Sequence, residues 1–97
     1  MNELYPIFLK SEQLHILIVG GKEVAEEKLL SLTSNSPEAK ITVIAKDFSE
    51  TVFRFKNVNF IQKEFSPEDL NGKQIVIAAT LNRILNKTVA DYCREKT

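Results

Sequence analysis

The chain has 97 residues, 43% hydrophobic and 27% charged, enough for one domain that buries its own core. Thirteen Lys and Arg balance thirteen Asp and Glu; this removes the electrostatic footprint of a nucleic-acid binder and of a protein held on an anionic membrane by charge. The single cysteine, Cys93, excludes an intramolecular disulfide framework and suits a reduced, cytoplasmic setting.

Met1-Asn2-Glu3-Leu4 has no basic n-region, so no secretory signal is expected. Ile7-Phe8-Leu9 reads as an edge strand or a segment packed beneath the sheet. His15-Ile16-Leu17-Ile18-Val19 is an apolar, β-branched run stopped by Gly20-Gly21. Apolar character on both faces is the pattern of a covered parallel strand, and the run is too short to span a bilayer. After the glycines, Ala25, Leu29 and Leu32 recur at helical spacing with Glu26, Glu27 and Lys28 between them, an amphipathic helix with acids toward its start. Ile41-Thr42-Val43-Ile44-Ala45 predicts a second buried strand. Phe48 to Phe55 reads as a short helix, with Val52 and Phe55 toward the sheet and Arg54 and Lys56 in solvent.

Val58-Asn59-Phe60-Ile61-Gln62 is a shorter, more polar strand, suited to a sheet edge. Ser66-Pro67-Glu68-Asp69 is a helix start, with a capping hydroxyl, proline at the first helical position and then acids; Gly72 stops the segment. Ile75-Val76-Ile77-Ala78-Ala79 predicts the fourth strand. A last helix runs from Arg83 to about Glu95, capped by Asn82, with Leu85, Val89 and Tyr92 on one face. Alternation of this kind predicts an α/β fold: a Rossmann-like parallel sheet of about four strands, order 3-2-1-4, with helices on both faces.

Gly20-Gly21-Lys22-Glu23-Val24-Ala25 follows a strand and opens a helix, the context in which a glycine motif becomes a phosphate-binding hypothesis. Gly20 and Ala25 fill the first and third positions of the G-x-G-x-x-G/A fingerprint; the middle position is Lys22. A side chain there obstructs a pyrophosphate unless it swings outward and its ammonium meets the phosphates. The helix start still makes an anion site, and the plain alternative is a tight turn alone. Past the second strand, Asp47 suits a ribose 2′-hydroxyl and Lys46 a phosphate; equally, both read as solvated loop charges. His15 reads as a strand-start residue without metal partners, and Cys93 as a small apolar residue on the sheet.

Several segments, in register over nearly the whole chain, resemble the siroheme-synthase N-terminal domain family, the precorrin-2 dehydrogenases and sirohydrochlorin ferrochelatases. Tyr5-Pro6-Ile7-Phe8-Leu9 is similar to that family's LPIFL start, and Ile18 to Ala25 to its V-G-G-G-x-V-A. Lys28 falls where a basic residue is common in that helix, and Ile41-Thr42-Val43 with Ala45 fits the second strand. Phe65 with Pro67-Glu68-Asp69-Leu70 resembles Y-x-P-E-D-L. Ile77-Ala78-Ala79-Thr80 followed by Leu85-Asn86 matches I-A-A-T-x-x-x-x-L-N.

The resemblance implies NAD-dependent oxidation of precorrin-2 to sirohydrochlorin, followed in bifunctional members by iron insertion, a lyase step. It also implies a homodimeric parent. By match, the cofactor positions are Gly20, Gly21, Lys22, Glu23 and Val24, then Lys46 and Asp47, then Ala79 and Thr80. Lys22 departs from a family glycine, and Leu81-Asn82 stands where the family has acids. The family's catalytic aspartate lies in an N-V-x-D motif on the following strand, which no residue here matches. Residues 1–97 are therefore expected to be the N-terminal NAD(P)-binding piece of a longer protein, with no catalytic or metal-ligating residue of their own. Two rival readings are a regulatory nucleotide-sensing module and a Rossmann-like scaffold without cofactor.

Overall fold

A computed structural model describes residues 14–96. Ile7-Phe8-Leu9 and the LPIFL-like start lie outside the described residues. Four strands form one parallel sheet: β1 (His15–Val19), β2 (Lys40–Ala45), β3 (Val58–Gln62) and β4 (Ile75–Ala78), in the order β3-β2-β1-β4. Ile16 sits opposite Ile41 on one side and Ile75 on the other, and Ile41 opposite Val58. The α-helices are α1 (Glu23–Asn35) and α2 (Arg83–Lys96), and two short 3-10 helices cover Glu50–Arg54 and Pro67–Leu70.

The doubly apolar pattern of β1 has a direct structural cause. Ile16 and Ile18 point to one face, where they meet Ala25 and Leu29 of α1, Val43 of β2 and Val52 of the first 3-10 helix. Leu17 and Val19 point to the other face, against Ile44, Leu70 and Val89 of α2. Helices therefore cover both faces, as the sequence predicts. Leu29 is fully buried, worth about 2–3 kcal/mol of transfer free energy. Leu85, Tyr92 and Cys93 pack around the second cluster, and Phe55 around the first. Among the described residues no polar or charged side chain is buried.

Two local expectations are narrowed. Phe48 to Phe55 forms a 3-10 helix only over Glu50–Arg54. The Ser49 N–H donates to Gly21 O at 2.8 Å, so the entry to the segment is fixed by the glycine turn and too few residues remain for an α-helix. The fourth ladder ends at Ala78, although the Ala79 N–H still donates to Val19 O at 2.8 Å. At the second 3-10 helix, Ser66 and Asp69 form a capping box, and Lys63 reaches Asp69 at 2.5 Å. The acids after Ser66-Pro67 are thus helix-start groups.

Candidate functional site

A cleft of about 790 Å³ opens at the C-terminal ends of the strands, where the strand order reverses between β1 and β4. Crevices at this point of an open parallel sheet are the places where such folds take ligands. Gly20, Gly21, Lys22, Glu23, Val24, Lys46, Asp47, Ala79 and Thr80 all line it. Three separate chain segments nominated from sequence are therefore brought to one place.

The two glycines are required by the fold itself. Gly20 has φ +139°, and a Cβ there would lie 2.1 Å from Ala79 O. A Cβ on Gly21 would lie 2.4 Å from Asp47 O and 2.7 Å from Phe48 Cδ1. Gly20 lets the end of β4 close on the turn, and Gly21 lets the loop after β2 close on it. Both substituents would meet protein rather than open cleft, so the pair shapes the site by bringing its walls together.

Lys22 is the residue before α1, with φ −124° and no side-chain cap on the helix start. The leading N–H groups of α1 are thus left for an anion, supported by the helix dipole. Lys22 is exposed and makes no ion pair among the described residues, so its ammonium is free to serve that anion. Glu23 is exposed beside it.

Past β2, the two candidates differ in their commitments. Lys46 Nζ lies 3.6 Å from Glu64 Oε2, and its carbonyl accepts from Gln62 Nε2 at 2.9 Å. The Asp47 carboxylate is exposed and makes no ion pair among the described residues, while its backbone carbonyl packs on Gly21.

Thr80 is engaged internally. Its hydroxyl donates to Asn86 Oδ1 at 2.6 Å and accepts from the Asn82 N–H at 3.0 Å. Asn86 Nδ2 returns a bond to Thr80 O at 2.9 Å. The Leu85 N–H donates to Asn82 Oδ1 at 3.0 Å, so Asn82 caps α2 as predicted. The spacing of Thr80 and Asn86 in the A-A-T-x-x-x-x-L-N-like stretch is thereby explained as a clamp that turns β4 into α2. Thr80 brings its backbone and methyl group, not a free hydroxyl, to the cleft.

Besides the strand-end residues Val19, Ile44 and Ala45, the remaining walls are Ser49, the loop residues Lys63, Glu64 and Phe65, and Leu81, Asn82 and Leu85. Sequence reasoning placed none of these in the site. The polar strand β3 gave the only usable signal, because the loop after a third parallel strand must also end at this edge. Partial burial works against the charge on Asp69, but the Lys63 ammonium and the Ser66 N–H outweigh it and hold that carboxyl below its ordinary range. Among the described residues, no cluster of three His, Cys, Asp or Glu side chains converges as a metal site, and no helix is long and apolar enough to cross a membrane.

The cleft's volume suits a cofactor-sized ligand, and its parts fit a dinucleotide in order. Among the described residues, an uncapped helix start and an ammonium without an ion pair stand where a pyrophosphate would lie. A carboxylate likewise without an ion pair stands at the end of β2, and apolar walls complete the site. Residues 7–97 match a family described as "Putative NAD(P)-binding". The chain is 39% identical over 92 residues to a siroheme synthase of Methylococcus capsulatus, covering 92% of this chain and 19% of that protein. It is 38% identical over 97 residues to a siroheme synthase of Baumannia cicadellinicola, covering 97% and 20%. For a siroheme synthase of Vesicomyosocius okutanii the figures are 35% over 98 residues, 98% and 20%. The chain spans about a fifth of the length of these curated relatives. A solved structure titled SirC, precorrin-2 dehydrogenase, shares the fold, with a TM-score of 0.73 and 24% identity over 81% of this chain and 41% of that one.

Proposed function

The chain belongs to this NAD(P)-binding family, and from that premise we propose that its cleft is the NAD site of a precorrin-2 dehydrogenase. The observation that carries the proposal is the convergence of nine nominated positions, from three segments, on one cleft at the strand-order reversal. Similarity to siroheme synthases over nearly the whole chain supports the choice of reaction.

In this reading the leading N–H groups of α1 and the Lys22 ammonium bind the pyrophosphate. Asp47 accepts hydrogen bonds from the adenosine ribose and disfavours a 2′-phosphate, which selects NAD over NADP. Lys46, engaged with Glu64, stays aside. The Ala79–Thr80 end of β4, fixed by the Asn86 clamp, forms the wall on the nicotinamide side. The bound nicotinamide supplies hydride acceptance: the reduced tetrapyrrole loses a hydride and a proton, giving sirohydrochlorin, NADH and H⁺. Residues 1–97 contribute binding and orientation. The proton acceptor, iron insertion where present, a homodimeric assembly and a cytoplasmic setting belong to the longer protein of this proposal.

The test is NADH formation from precorrin-2, followed by absorbance, in the longer protein and in residues 1–97 alone. Turnover is expected only in the longer protein, and is expected to be lost in its Lys22→Glu variant together with NAD binding. Comparable turnover by residues 1–97 would place the catalytic group within them. Nucleotide binding without turnover in the longer protein would instead support a regulatory nucleotide-sensing module.

A further inference from the structure

Glu26 lies on the first turn of α1 and is not itself a wall of the cleft, although its partner Ser49 is. One carboxylate oxygen accepts from Ser49 Oγ at 2.5 Å and from Thr51 Oγ1 at 2.7 Å. The other accepts from Arg54 Nη1, which also donates to Thr51 O at 3.0 Å. Its side chain is 14% exposed, whereas that of Arg54 is 52% exposed. One carboxylate therefore gathers three donors from the segment that follows β2.

That segment is the one that carries Asp47. On its other side it is seated on the glycine turn: the Ser49 N–H donates to Gly21 O at 2.8 Å, and Asp47 O occupies the space a Gly21 Cβ would need. Residues 47–49 are thus held between Gly21 and the Glu26 clamp. The helix start that would hold the pyrophosphate and the backbone that carries the Asp47 carboxylate are thereby tied together, with Glu26 as the bridge.

We propose that Glu26 is a positioning residue for cofactor choice: by clamping Ser49, Thr51 and Arg54 it holds the Asp47 carboxylate where a 2′-phosphate cannot avoid it. The inference rests on the reading of the cleft as an NAD site. A carboxylate on a loose loop swings away from an incoming phosphate, at the cost of a few backbone rotations, and then discriminates poorly. With the backbone of residues 47–49 held, only side-chain rotation is left to Asp47, so more of the like-charge contact persists and NADP is disfavoured. The Ser49 hydroxyl foremost, with Arg54 and Thr51, lowers the Glu26 carboxyl to about 2. The clamp is therefore ionised and constant at neutral pH.

The experiment is a pair of equilibrium titrations, NAD and NADP, on the unmodified chain and on Glu26→Gln and Arg54→Leu, with folding checked by circular dichroism. Arg54 lies outside the cleft, so its variant loosens the clamp from the opposite side if Glu26→Gln fails to fold. The unmodified chain is expected to prefer NAD. Each variant is expected to lose about tenfold of the NAD:NADP affinity ratio, the size of one lost charge-assisted bond. General destabilisation weakens both nucleotides alike and leaves the ratio unmoved. A folded variant whose ratio stays within about twofold of the unmodified chain's overturns the proposal while leaving the NAD site intact. Failure of the unmodified chain to bind either nucleotide overturns the NAD reading itself.

Discussion

Replacing Gly20 by alanine tests the geometry on which the cleft depends. The native φ of +139° is a conformation that L side chains rarely adopt, and forcing one there costs about 1–3 kcal/mol. The new Cβ would sit 2.1 Å from Ala79 O and 2.7 Å from its carbonyl carbon, against an ordinary contact of 3.4 Å or more. The end of β4 must then retreat by roughly an ångström, which pulls on the Ala79 N–H to Val19 O bond and adds about 1–3 kcal/mol of overpacking. The sum is about 2–6 kcal/mol, a large share of the ~5–15 kcal/mol that stabilises a domain of this size. At a urea slope near 1.5 kcal/mol per M, the unfolding midpoint should fall by roughly 1.3–4 M. Gly72→Ala is the internal control, because Gly72 also has a positive φ, +77°, with nothing within 4 Å of a Cβ. It should lose only about 1 kcal/mol. A Gly20→Ala midpoint no lower than that of Gly72→Ala would refute the placement of the Ala79 carbonyl over the glycine turn.

Four further outcomes are expected. Lys22→Glu should abolish NAD binding in a calorimetric titration, whereas Lys22→Gly should retain or improve it, since the exposed N-cap tolerates glycine and backbone approach is restored; a much weaker Lys22→Gly would show that the side chain is an indispensable phosphate ligand. Glu26 is ionised more readily in the fold than its ordinary value of 4.5, so its contribution is fully present above about pH 4.5 and is lost as pH falls toward about 2; urea midpoints of the unmodified chain and of Glu26→Gln should differ at pH 6 and converge in acid. Asp69→Asn removes the charge that caps Ser66 and pairs with Lys63, and should cost about 1–2 kcal/mol in the same assay. Asn86→Ala leaves the Thr80 carbonyl and hydroxyl without that partner and should cost about 1–3 kcal/mol, with faster exchange of the Asn82 and Leu85 amides.

The sheet was legible because its strands are covered on both sides. A run such as His15 to Val19 announces itself without help from distant residues, and the glycine pair and Ser66-Pro67 mark where such runs end. The strand order followed from alternation with helices. The cleft was legible in part for the same reason, since C-terminal strand ends converge in a parallel sheet. The glycines illustrate what a motif leaves open: the pattern marks a tight strand-to-helix turn, but not that side chains there would strike Ala79 and Asp47. Glu26 was read only as one acid near a helix start. Its partners lie 23 to 28 residues away in an irregular segment, and no periodicity encodes such a clamp. The Thr80–Asn86 pair stood in the sequence as a spacing without a cause, and the hydrogen bonds supply the cause. Lys63 to Phe65 were not placed in the site, although Phe65 stands in a recognised motif, because a loop's place in a site depends on the strand before it, not on its own composition.

Titration of the isotope-labelled chain with NAD, followed by backbone amide shifts, tests the central claim most directly. The account predicts shift changes concentrated at Gly20 through Val24, at Lys46 and Asp47, and at Ala79 and Thr80, saturating together with one dissociation constant. Unmoved amides at those positions in millimolar NAD, in a sample whose spectrum is that of a folded protein, would contradict it.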